Sequence, residues 1–215
     1  MPAALHENKA ETRPAPAPVL AALCQKFWWP PYAVLRDGGN SPADANILVR
    51  HFLDEFSRGK EFGRPKLAFL RLRTGMFEAL NGFLATGSAR ASAYESTLDP
   101  AQPGFVPADA ESWMGILSSG VSAPGDAFRR RWAMVILDSA LAALRREFAG
   151  TGRLDEFETL KPGLARRLAF PTRDTPSDGS LTALRERLQK LALEEVSQTV
   201  STPAELEAEF QELFD

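Results

Sequence analysis

The side chains suited to bond chemistry are few. His6, His51 and Cys24 are the only histidines and the only cysteine among 215 residues. Covalent catalysis needs a nucleophile beside a base, a metal needs several converging ligands, and a phosphate cradle needs a glycine-rich turn opening a helix. The sequence spells out none of these. Cys24 lies on an apolar helical stripe, which suits a buried small hydrophobe better than a thiolate, and alone it can form no disulfide within the chain. His6 sits in a stretch poor in large apolar residues. The aspartates and glutamates fall on polar helix faces or in first turns, where solvation and complement to the helix dipole account for them. Glu194-Glu195 and Glu205, Glu207 and Glu209 read as solvated faces. The expectation is a protein without catalytic residues, metal ligands, cofactor or small-molecule substrate, and not an enzyme.

Charge is the other chemistry on offer. Cations cluster at Arg64 and Lys66, Arg71 and Arg73, Arg129 to Arg131, Arg145-Arg146 and Arg166-Arg167. Phosphate binding uses such clusters on one face. The net charge of −3, however, lacks the basic footprint of a stand-alone nucleic-acid binder. Arg145-Arg146 falls in the expected last turn of a helix, and Arg129 to Arg131 share a turn with an apolar tryptophan, so a structural role stands beside the phosphate-binding one for each.

The elements that would position these groups are helical throughout. Residues 1–18 end in alternating Pro14, Pro16 and Pro18, which favours a mobile, extended tail. Leu20, Leu23, Cys24 and Phe27 then recur at helical spacing until Pro30 and Pro31, which can open a second helix carrying Tyr32, Val34 and Leu35 and stopped by Gly38-Gly39. Ser41-Pro42-Ala43-Asp44 reads as cap, first-turn proline and acidic box for a third helix with Ala45, Leu48, Phe52 and Phe56 on one stripe. A fourth runs from Pro65 to about Leu84. From Ala85 to Gly125 the composition shifts to Ala, Ser, Gly and Pro, a linker with a short docked helix at Asp109 to Leu117. Asp126 reads as the cap of a long helix ended by Gly150, followed by a short helix ending near Pro162, another with Leu164 and Leu168, and a loop from Phe170 to Gly179. Leu181, Leu184, Leu188 and Leu191 form a narrow seam, with internal core as its default use. Thr202-Pro203-Ala204-Glu205 opens a tail helix.

The predicted fold is all-α. It comprises a tail (1–18), a four-helix domain (19–84), a flexible linker (85–125) and a second helical domain (126–215). With 44% hydrophobic residues, yet no apolar run near the ~20 needed to cross a bilayer and no signal-like start, a cytoplasmic protein without membrane partners is expected.

The order of these residues resembles a known family. ALCQKFWWPPYAVLRDGGNSPADANILVRHFL is similar to the start of the extracytoplasmic-function sigma factors of RNA polymerase, and RRRWAMVILDSALAALRREFAGTGRLDEFETLKP and LRERLQKLALEEVSQTVSTPAELEAEFQELF resemble later parts. Together with FLRLRTGMFEALNGFL they cover most of residues 20–214. The resemblance implies one domain that binds the polymerase clamp and melts the promoter, and a second that carries a helix-turn-helix. It places the polymerase-contact helix at Asn46, Ile47, Leu48, Arg50 and His51. There the family's outward acidic and polar set has become apolar and basic, which would not pair with a positive clamp surface. It also marks Arg71, Arg73, Arg90, Arg185 and Arg187 as nucleic-acid candidates. Ala85 to Tyr94 supplies only one arginine and one tyrosine for phosphates and bases, and Lys161 to Leu184 is short for a full helix-turn-helix. The expectation is a divergent sigma-like regulator that contacts RNA polymerase or its regulators, with weak or absent promoter binding. The alternative is a sigma-derived adaptor that binds another protein and neither polymerase nor DNA.

Overall fold

A computed structural model describes residues 17–59, 71–86, 107, 110–114, 123–165 and 179–214. The tail before residue 17, the start of the fourth helix, most of the linker and the loop at 170–178 lie outside the described residues, as do Leu168, Arg64, Lys66, Arg166 and Arg167. The fold is all-α, with helices α1 (Ala17–Lys26), α2 (Trp29–Asp37), α3 (Pro42–Ser57), α4 (Leu72–Ala85), α5 (Ala110–Met114), α6 (Pro124–Gly150), α7 (Leu154–Ala165), α8 (Gly179–Ser197) and α9 (Pro203–Phe214). Among the described residues, none of these is long and apolar enough to cross a membrane.

Local chemistry explains most boundaries. Pro30 and Pro31 occupy the first turn of α2, where a missing N–H costs nothing. Ser41 caps α3: its Oγ accepts from the Asp44 backbone N–H at 3.1 Å. At α9 the capping box is reciprocal, with the Glu205 N–H donating to Thr202 Oγ1 at 3.3 Å and the Thr202 N–H donating to Glu205 Oε2 at 3.0 Å.

Four boundaries depart from expectation. The helix expected from Pro65 is not continuous through Arg71, which is extended, and α4 begins at Leu72. The cap of α6 is Ala123 with Pro124 in the first turn, and Asp126 lies inside the helix, where its Oδ1 accepts from Arg129 at 3.4 Å. Gly150 is still helical. The chain turns at Gly152, whose φ of 70° a side chain would disfavour. Pro162 lies inside α7 rather than ending it, and the helix continues through Leu164 to Ala165. Its continuation lets Gly163 approach α8 closely: a Cβ there would stand 3.1 Å from both δ-carbons of Leu181.

The buried side chains form a single hydrophobic cluster drawn from both expected halves. Helices α1 and α2 each pack on α3, and α6 lies against α2, α4, α8 and α9. At the junction the ring of Phe27 stacks on that of Trp132, centroids 3.9 Å apart and planes within 6°. The leucine seam faces inward, with Leu184, Leu188, Leu191 and Val196 buried and α8 packed along α6. Polar contacts continue the join. Arg131 reaches Asp37 at 2.7 Å, Lys26 pairs with Glu195, and the Leu72 N–H donates to the Thr199 carbonyl at 2.8 Å beside a lone antiparallel bridge of Arg71 with Val200.

Candidate functional site

The nucleic-acid candidates can be taken first. Arg71 is extended at the N-cap of α4 (φ −137°, ψ 119°), and Arg73 lies in its first turn. Both turn to α9. Arg73 grips Glu209 in a bidentate pair, Nε to Oε1 at 2.6 Å and Nη2 to Oε2 at 3.0 Å, and its Nη2 also reaches Glu212 at 2.6 Å. Arg71 donates to Glu212 at 2.7 Å and Glu209 at 3.3 Å. Arg129 of α6 adds a bond to the Glu212 carbonyl at 2.8 Å. The Glu209 carboxylate is 0% exposed. Burial opposes ionisation of Glu212, but Arg73 and Arg71 outweigh it and hold its carboxyl below the usual range. Burial likewise opposes the charge on Arg73, and the two carboxylates reverse that effect.

The arginines on α8 are engaged as well. Arg187 binds Glu147 of α6 through two nitrogens, Nε at 2.9 Å, and holds that carboxyl below its ordinary pKa. Arg185 donates to the Gly163 carbonyl at 3.2 Å, tying α8 to α7. Arg90 lies outside the described residues. So each described member of the set points at the chain's own acceptors.

The α3 set is less open than its sequence suggested. Leu48 is buried, and Asn46, Ile47, Arg50 and His51 are each half-buried rather than forming an exposed face. His51 lies against Phe83 of α4, ring centroids 5.7 Å apart. Helix α3 packs on α1, α2 and α4, with Leu48 on its buried side.

The docked helix of the linker is present in part, as α5. Trp113 meets Trp29 edge-on at 5.4 Å and Trp28 at 6.2 Å. Glu111 accepts from the Tyr32 hydroxyl at 2.6 Å and from Arg36 at 2.9 and 2.8 Å. Burial, with the Glu111 bond second, pushes the Tyr32 pKa up to about 12, while Arg36 and then Tyr32 hold Glu111 below the usual carboxylate range.

Among the described residues no group of histidine, cysteine or carboxylate side chains is placed to hold a metal. Cys24 is fully buried, and burial pushes its thiol up to about 12, which leaves it inert. The larger groove, about 550 Å³, is open to solvent and lined by Lys26, Asp138, Ser139, Arg145, Arg146 and Glu195. Two of its charges pair with each other, and Arg145 pairs with Glu158 at 2.9 Å.

Searches against protein-family models, curated proteins and solved structures found no match to this chain.

Sequence reasoning missed the acceptors. Glu209 was read as part of a solvated face, yet it is the most deeply placed carboxylate here. Its partner Arg73 is 136 residues away in the chain. The available signal was complementary spacing: Arg71 and Arg73 two apart, and Glu209 and Glu212 three apart on one helix face.

Proposed function

We propose that this chain is a sigma-factor-like regulator that acts in transcription by contacting RNA polymerase or one of its regulators, and that it does not read promoter DNA on its own. The observation that carries this is the engagement of Arg71, Arg73, Arg185 and Arg187 with acceptors of the same chain. Duplex binding draws its affinity from cations that can displace counterions along the phosphate backbone. Arg71, Arg73 and Arg187 would have to give up close carboxylate pairs first, and Arg185 a bond to a backbone carbonyl. The collinear sequence resemblance over residues 20–214 supports the transcriptional setting, and the buried scaffold positions Leu48, Phe52 and Trp132 support a folded, sigma-like helical frame.

The second reading is a sigma-derived adaptor that binds neither polymerase nor DNA. It is favoured by the change of the α3 set from acidic and polar to apolar and basic, and would use Ile47, Arg50 and His51 to bind another protein.

Fluorescence anisotropy with labelled duplex separates protein contact from DNA reading. At physiological salt the chain should bind random and promoter-like duplex alike, more weakly than ~1 µM. Submicromolar binding of duplex by the chain alone would overturn the proposal. Failure to bind purified polymerase core, with DNA binding also absent, would favour the adaptor.

A further inference from the structure

The charge cluster joining α9 to α4 runs against the local preferences of both helices. Arg71 and Arg73 stand at the N-terminal end of α4, where the helix dipole disfavours cations, and Glu209 and Glu212 fall in the last two turns of α9, where it disfavours anions. Only the contact between them accounts for either pair. Such local conflicts gather at functional or strained sites.

The attachment of α9 is also unusual in kind. Its one fully buried side chain is the Glu209 carboxylate, while Leu206, Phe210, Leu213 and Phe214 are only partly covered. It begins with its own capping box, so its start depends on no other element. A helix whose deepest anchor is a set of ion pairs, with its apolar side chains only partly covered, is the kind of element that opens locally. Salt weakens such a hold where the pairs are solvated, as at the half-exposed Glu212.

We propose that Arg71 and Arg73, with Arg129 holding a backbone carbonyl of the seated helix, form a socket for the acidic face of an amphipathic helix, filled by α9 in the free chain and by an acidic helix of a partner protein when α9 is displaced. The seated helix shows what fits. It carries carboxylates three residues apart at Glu209 and Glu212, flanked by the paired rings of Phe210 and Phe214, whose centroids lie 4.9 Å apart. Planar, bidentate geometry at Arg73 suits a side-chain carboxylate, and the apolar flank gives a protein helix an advantage that a phosphate backbone lacks. The proposal extends the reading that the chain works by protein contact, and its test involves no polymerase, so the two can fail separately.

The test titrates a labelled peptide spanning Thr202 to Phe214 into the full-length wild type and into full-length Glu209→Gln/Glu212→Gln, followed by anisotropy. The variant, whose own α9 has lost its charges, should bind the peptide roughly tenfold or more tightly than the wild type does. Adding Arg73→Gln should abolish that gain. Binding to neither protein, or equal binding of a peptide with both glutamates changed to glutamine, would overturn the proposal. Displacement of the peptide by a DNA oligonucleotide would overturn the assignment to a protein partner. If the variant fails to fold, amide hydrogen exchange on the wild type decides: α9 should exchange by local opening while α6 and α8 stay protected, and exchange of α9 only through global unfolding would overturn it.

Discussion

Glu209 and Arg73 are each other's main partner in a buried site. The carboxylate is fully out of solvent and the guanidinium 9% exposed, so losing one leaves the other with a single charged partner, Glu212 for Arg73 and Arg71 for Glu209. Glu209→Gln should destabilise the fold by about 1–3 kcal/mol in urea unfolding. Replacing both residues with apolar side chains of similar volume should cost much less, because desolvation then no longer opposes burial. A second residue-level consequence follows from the depressed carboxyls of Glu111, Glu147, Glu156 and Glu212, each set against an arginine. A depressed folded-state pKa stabilises the native state above the unfolded value and ceases to do so as pH falls through the folded one. The thermal midpoint should therefore hold level from neutral pH to about pH 5 and drop progressively below about pH 4.

At the scale of elements, α7 carries the clearest internal cost. Pro162 lies inside it, exposed, without an N–H to complete the helix ladder. Pro162→Ala should stabilise the protein by about 1–3 kcal/mol, seen as a rise in the urea midpoint with unchanged slope. The elements also show which information a sequence carries openly. Ser41, Pro31 and Thr202-Glu205 act within one turn of themselves, so their caps were legible from residue type and spacing alone. The stripe of Leu48, Phe52 and Phe56 was legible for the same reason, and so was the inward seam of α8. Pro162 misled because tertiary packing against α8, through Gly163 and Leu181, overrides a propensity that would end an isolated helix. The candidate site was less legible than the fold. Arg73 reads as a phosphate-binding candidate and Glu209 as part of a solvated face, and only the folded chain brings them together. The half-burial of the α3 set has a related origin, since His51 lies against Phe83 of another helix.

At the scale of the whole molecule, the described helices of both halves meet in one core, with Phe27 stacked on Trp132 and ion pairs from α1, α2 and α4 crossing to α6, α8 and α9. Of the described candidate cations, Arg71 and Arg73 are engaged in this join, while Arg185 and Arg187 tie α8 to α7 and α6. The most direct measurement is affinity capture of the tagged full-length chain from its native cell at physiological salt, with quantification of every retained protein and of co-purifying DNA. The account predicts RNA polymerase core subunits or a regulator bound to them, retained unchanged after nuclease treatment. Loss of polymerase on nuclease treatment, or recovery of DNA without it, would contradict the account.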